Sequence, residues 1–281
     1  MVTTTRHVAI ALVLGVLGGA ACAQAVTFVP VSRQIRRSDS GWQLAYRQIF
    51  EHYSEYAPNG SSSPYGPIAD SEHGILRGGA LGYRHQGDHL GYGAVAAYTE
   101  GTTAYQGFTQ DYKTATYTPL MSHTGNDRTE ARLWVNYAFA LSALPNLAIV
   151  PGIMAGDEHW ERRTSDGDHE TYNAFYAAGR LAFEHAMGPV VLSVSAEAGR
   201  LIHPTMTATF APHQTFALGA RQWVGYGIRV TYNIDRDVSV YASYAEDRYQ
   251  WGQSPIVNGL YEPASHTTLG QASAGVLIRG L

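Results

Sequence analysis

The chain has 281 residues, 45% of them hydrophobic and 15% charged, with 30 Gly, 19 Tyr and one Cys. A formal charge of -4, with Lys113 the sole lysine, argues against a nucleic-acid binder driven by phosphate contacts, and the apolar content excludes a disordered chain. Beyond residue 25 no run approaches about 18 consecutive apolar residues, so no helical membrane span is predicted and a strand-built protein remains, soluble or in a membrane.

The first 25 residues read as a secretory signal peptide. Arg6 and His7 precede the short apolar stretch Val8 to Ala21. Ala21-Cys22-Ala23 and Ala23-Gln24-Ala25 are small-x-small cleavage sites. An uncleaved anchor and a lipidated Cys22 are the alternatives. Cleavage near 23–25 leaves no cysteine, which removes disulfides, Cys-ligated metals and thiol nucleophiles from the mature chain. Residues 26–40 form a short segment before the strands.

From residue 41 to 281 period-two alternation dominates. In chain order, strands are predicted about Trp42–Phe50, Ile75–His85, Leu90–Tyr98, Glu130–Leu141, Leu147–Gly156, Phe175–Glu184, Val190–Glu197, Val224–Tyr232, Val238–Tyr244 and Gln271–Arg279. The clearest puts Ala131, Leu133, Val135, Tyr137, Phe139 and Leu141 on one face, against Glu130, Arg132, Trp134, Asn136 and Ala138. Short links at 86–89, 142–146, 187–189 and 233–237 carry turn residues. They alternate with long ones at about 53–73, 100–128, 157–171, 203–216 and 247–266. An up-and-down meander places all short turns at one end.

Which face looks inward follows from the charges. Arg132, Arg180, Glu184, Glu197 and Arg229 lie at mid-strand among Gly, Ala and Ser, a composition suited to a narrow interior. Aromatics on the apolar face gather near strand ends: Tyr83, Tyr92, Phe139, Phe183 and Tyr232 toward the short turns, Tyr98, Phe175 and Tyr244 toward the long links. Two such belts match two membrane–water interfaces. The fold class is therefore all-β: a closed antiparallel up-and-down transmembrane barrel of ten strands, with eight as the alternative.

In this alternation, these belts and this link pattern, residues 41–281 resemble the bacterial outer-membrane β-barrel proteins, of porin-like or opacity-type architecture. The resemblance implies residence in the cell outer membrane, a periplasmic 26–40 and long links facing outward. It also implies dealings with periplasmic chaperones, the barrel-insertion machinery and membrane lipids including lipopolysaccharide. Three features depart from the pattern. Pro151 sits on the apolar face of the fifth strand and removes a ladder donor, suggesting a bulge or a shorter strand. Gln48 falls on the apolar side of the first strand. The chain closes on Leu281 where such barrels usually end in an aromatic residue.

Glu130, Arg132, Arg180, Glu184, Glu197 and Arg229 are the predicted lumen groups, expected to pair because single buried charges are expensive. They suit a plugged structural barrel or a narrow charge-lined pore. Asp157 and His159, with Asp166 and Asp168 in the next link, could activate water as a general base does. The omptin proteases carry acidic and His groups at a comparable rim, but draw them from separate loops. No strand shows the alternating His and Ser that outer-membrane lipid A deacylases carry on the apolar face. The His spacing matches no metal motif and no cofactor is predicted. Tyr53, Tyr56, Tyr65, Tyr105, Phe108, Tyr112, Tyr117 and Tyr261 fall in the long links, a composition of binding loops for an unspecified extracellular ligand. The expected function is that of a non-enzymatic surface barrel, porin-like or structural. The alternatives are a rim hydrolase and a soluble periplasmic ligand-binding barrel.

Overall fold

The computed structural model describes residues 27–56, 67–111, 116–165, 167–209 and 213–280. The signal-peptide reading of 1–25, and the readings of Tyr65, Tyr112, Asp166 and Leu281, lie outside the described residues.

Ten long strands form the wall: β1 (Gly41–Tyr56), β2 (Ile68–Gln86), β3 (Leu90–Asp111), β4 (Thr116–Tyr137), β5 (Leu144–Arg163), β6 (His169–Met187), β7 (Val190–Ala208), β8 (Gln222–Asn233), β9 (Val238–Trp251) and β10 (Ser265–Ile278). Each pairs antiparallel with the next, and β10 returns to β1 from Ser265↔Glu55 to Ile278↔Trp42. Closure leaves no unpaired edge, which a sheet surrounded by lipid requires. A short strand, Phe139–Leu141, continues β4, and Phe28–Val29 pairs with it. Gln214–Ala217 pairs along β7.

The apolar face points outward. Leu133, 63% exposed, Ile153, 70%, and the alternate residues Val224 to Tyr232 of β8 form a continuous outer band. On β3 it runs from Leu90 to Tyr98, matching the roughly 9–11 tilted residues that cross a bilayer. Its upper limit on β1 to β4 is a row of outward polar residues directly opposite one another, Gln48, Arg77, Glu100 and Asp127; on β5 the polar wall begins lower, at Asp157. Gln48 thus faces outward where apolar wall gives way to polar wall. At the other limit, Trp42 packs on Tyr83 and Phe28 on Phe139, with ring centroids 5.3 and 4.7 Å apart.

The strands run well past this band. β3 and β4 have 22 residues each. Two links expected to be long loops are therefore largely strand, 100–128 and 157–171. Above the band the outer face has no lipid to meet, so polar residues stand on both faces and the alternation that marks a strand in sequence disappears. Tyr53 and Tyr105, read as loop residues, belong to β1 and β3, and Tyr53 is wholly buried in the lumen.

Pro151 produces no bulge. Asn136↔Gly152 and Phe139↔Ile149 keep one register, and the ladder lapses for the two residues between. Ala138, inside that gap, donates its N–H to the carbonyl of His89 at 2.7 Å. Inward glycines make room for flat aromatic rings. A Cβ on Gly93 would lie 2.2 Å from the Trp134 ring, and one on Gly156 2.3 Å from that of Tyr176.

Residues 30–40 fill the short-turn mouth. Ser32 caps the six-residue helix α1 (Arg33–Ser38) by accepting from the Ile35 N–H. Val31 and Ile35 are buried against Ala138, Ala148, Val150, Ala182, Ala186 and Val191. The small wall residues leave the volume that Ile35 occupies. Asp39 pairs with Arg84 at 3.0 Å, and Asn233 donates to the carbonyl of Gln34 at 3.2 Å.

Leu133 lies opposite Ala94, midway up the band. Leu133→Arg is expected to destabilise the lipid-embedded protein by about 2–4 kcal/mol, against about 0–1 for Met121→Arg high on the same strand. Urea unfolding from vesicles measures both; equal costs would misplace the band.

Candidate functional site: the lumen

The inner face of β5 reads the lumen from the long-link end downward: Arg162, Trp160, Glu158, Gly156, Met154, Gly152, Val150 and Ala148. Its upper half is packed solid around two arginines. Arg128 donates from Nε and Nη2 to the two Glu51 oxygens at 2.9 and 3.0 Å, and also pairs with Glu158. Tyr249 donates to Glu158 at 2.6 Å, closing the network. The Arg128 guanidinium lies 4.0 Å over the Trp160 ring. The fork geometry of arginine meets a carboxylate with two parallel hydrogen bonds while its face stacks on the indole.

Arg162 pairs with Glu72, Glu170 and Glu55 and lies 4.6 Å over Tyr53. Glu72 accepts from Thr103 at 2.8 Å; Asn126 donates to Thr103 at 2.7 Å and accepts from the Trp160 indole at 2.8 Å. These chains satisfy polar groups that would otherwise be buried at a cost of about 1–3 kcal/mol each. Leu218, Phe216 and Trp251 pack above, joined by Val257 and Leu260 of the 252–264 link.

A third network lies below. Arg132 pairs with Glu130 and, at 2.6 Å, with Asp247, while Arg47 reaches Glu130 at 2.7 Å. Glu130, Arg132, Arg180, Glu184, Glu197 and Arg229 all sit on inward positions of their strands. The pairing differs from expectation for two of them. Arg180 takes Glu197 at 3.1 Å, and Glu184 accepts from Ser193 at 3.4 Å. Arg229 has no carboxylate partner among the described residues and stacks 4.0 Å over Tyr241.

Sequence reasoning missed Arg128, Arg162, Glu51, Glu72 and Glu158. The signal was present: Arg128, Glu130 and Arg132 share one parity, as do Glu158, Trp160 and Arg162. Ending the strands where apolar alternation stopped hid them.

The rim candidates stand on the outer wall. Asp157 and His159 share the outward face of β5, while Glu158 between them faces the lumen. His159 contacts Asn173 at 2.7 Å and Glu161 at 3.2 Å, so its ring partners are not the carboxylates expected from sequence. Asp168 lies in the turn after β5, where its carbonyl accepts from the Thr164 N–H. His52 and Ser54 both face outward on β1 beyond Phe50, with 3.5 Å between His52 Nε2 and Ser54 Oγ. That spacing exceeds the roughly 2.6–3.2 Å of an activated nucleophile. Among the described residues no group of three or more His, Cys, Asp or Glu is placed to hold a metal.

No protein-family model matches the chain, and no curated protein matches it. Solved structures similar to it are outer-membrane β-barrel proteins. Neisserial surface protein A shares 10% identity over 86% of this chain and 98% of that one, at a TM-score of 0.37. The transport unit of the Escherichia coli autotransporter AIDA-I shares 9% over 85% and 90%, at 0.43. The P. putida toluene transporter TodX shares 12% over 88% and 92%, at 0.31. None supplies a residue role or an activity to this chain.

Two outcomes follow from the lumen chemistry. Arg128→Ala strands Glu51 and Glu158 and is expected to cost about 3–5 kcal/mol, with Arg128→Lys recovering little because a point charge lacks the fork. The temperature at which the folded electrophoretic form is lost reads this. The second concerns the 252–264 link, where Glu262 is buried and accepts from Tyr172 at 2.6 Å. Burial, then repulsion from Glu55 and Glu170, pushes the Glu262 carboxyl well above the usual carboxylate range. A raised carboxyl contributes stability while protonated and loses it as pH rises through its shifted value. Proteolysis of this link should accelerate as pH rises above the ordinary carboxylate range of about 4, and Glu262→Gln should reduce the acceleration.

Proposed function

We propose that the chain is an outer-membrane barrel with a closed lumen, acting as a non-enzymatic structural surface protein through the wall and links beyond the lipid band. The observation that supports this most directly is the upper lumen, where Arg128, Arg162, Trp160, Tyr172 and Trp251 occupy the cross-section in mutual contact. A conducting pore needs a continuous polar path, and these side chains fill it. The short turns and α1 then face the periplasm. The taller β2–β7 side projects outward, and Arg77, Arg163 and Arg248 on its outer surface and on β9 lie at the level of lipopolysaccharide headgroups. Assembly would use the periplasmic chaperones and insertion machinery that serve such barrels.

Planar-bilayer recording of the refolded protein tests the reading. Electrical silence is expected for the wild type. Regular single-channel steps, altered in size by Arg132→Ala, would make it a pore instead.

A further inference from the structure

The outer wall beyond the lipid band is divided by charge. On β3, β4 and β5 its outward positions carry Glu100, Asp127, Asp157 and Glu161. On β10, β1 and β2 no outward position among the described residues carries a carboxylate. This sector carries His266, His52, His73 and Arg77 instead, with the hydroxyls of Thr268, Ser54 and Ser71 between them.

His52 and His73 lie at the centre of the sector. Both are exposed, and they stand directly opposite one another on β1 and β2. One outward step below them are Phe50 and Ile75, also opposite one another. On a tilted strand that step is about 5 Å in height, so the His pair meets headgroups rather than lipid tails. The Tyr56 N–H donates to the carbonyl of Ala264, which turns the backbone groups of even-numbered β1 residues toward β10 and away from β2. His52↔His73 is therefore a non-hydrogen-bonded pair, the closer kind, with Cα atoms about 4.5 Å apart. Like charges directly opposite one another destabilise a sheet, so two protonated imidazoles here call for an anion. The wall supplies none. Opposite His73 on β3 is Ala104, and opposite His52 on β10 is Thr268. Arg248 on β9 is paired with Glu246. His266 lies diagonally across from His52; burial, then Arg248 and His52, hold its imidazole below the usual range. Glu51, Glu55, Asp70 and Glu72 of the same strands point into the lumen. Arg128 holds Glu51, Arg162 holds Glu55 and Glu72, and Tyr105 donates to Asp70.

We infer that His52 and His73 form a proton-dependent docking site for the phosphate of a membrane lipid headgroup. The inference rests on the proposed membrane setting and adds to it a lipid chemistry and a condition. Imidazole side chains change charge between about pH 5 and 8. In the acid part of that interval the opposed rings become cations on a face that already carries Arg77, and a headgroup phosphate is held between them. Ser54, Ser71 and Thr268 offer hydroxyl donors to its remaining oxygens. In the alkaline part the rings are neutral, their mutual repulsion is gone, and the sector keeps only the attraction of Arg77. The site is independent of conduction: a silent barrel and a conducting one could both carry it.

Spin-labelled lipids around the full chain, reconstituted in phosphatidylcholine vesicles at constant ionic strength, test this. One label is phosphatidylglycerol, whose single negative charge is fixed over the interval; the other is zwitterionic phosphatidylcholine. The motionally restricted fraction of each gives its association with the wall. Restricted lipid of either kind reports an embedded wall, whereas the ratio of the two reads the His pair, so the two readings fail separately. The ratio is expected to rise about threefold or more between about pH 8 and about pH 5.5. His52→Gln/His73→Gln should remove most of that rise. His52→Arg/His73→Arg should hold the ratio high at both ends of the interval. Heat-modifiable mobility verifies that each variant is folded. A wild-type ratio that does not move with pH, a rise that survives the glutamine variant, or an arginine variant no better than wild type at about pH 8 overturns the inference.

Discussion

The guanidinium of Arg128 is the interaction on which the rest of the barrel depends. It rises from β4 and is held by Glu51 from β1 and Glu158 from β5, with Trp160 beneath it and Tyr249 of β9 completing the ring. Four strands distant in sequence thus meet at one buried cation. In an inverted barrel most apolar residues face outward, and the apolar cluster that remains inside, around Trp160, Trp223 and Trp251, is interleaved with charged groups. Its geometry therefore depends on charge and hydrogen bonding as well as packing, and a buried charge left unmatched is costly. Arg162 repeats the arrangement one step higher with Glu72, Glu170 and Glu55.

This constraint divides the lumen. The upper half, beyond the lipid band, is filled with bulky side chains whose polar atoms satisfy one another. The lower half, ringed by lipid, is lined by arginines, carboxylates and serines and left partly hollow, then stoppered by Val31 and Ile35. The tall upper wall encloses packed side chains beyond the lipid band. It is in the hollow lower half that Arg229 stands without a carboxylate.

Much of this was legible from residue order. The face assignment of Glu130 to Asn136 followed from parity, because successive side chains of a strand must point to opposite sides. The ten strands and their closure followed from the number of alternating segments and the rhythm of their links. Pro151 was correctly placed on the outer face, although the ladder tolerates it without the bulge anticipated. The strand ends were not legible: above the band both faces are polar, and a period-two hydrophobic signal has nothing to act on. Arg128 and Arg162 were lost with them. The outward pair His52 and Ser54 escaped notice for the same reason.

The sequence by itself determined a ten-stranded barrel with its apolar face outward, since local alternation and turn chemistry mark the strands while mid-strand charges and aromatic belts mark the faces. The tertiary structure decided which charge meets which. Arg180 chose Glu197 over Glu184, and Arg229 was left to Tyr241, because pairing across a lumen depends on barrel radius, strand stagger and the reach of side chains from strands far apart in the chain. For the same reason the short N-terminal segment reads in sequence as a plain linker, and becomes a stopper only when the small residues of four other segments close around Ile35.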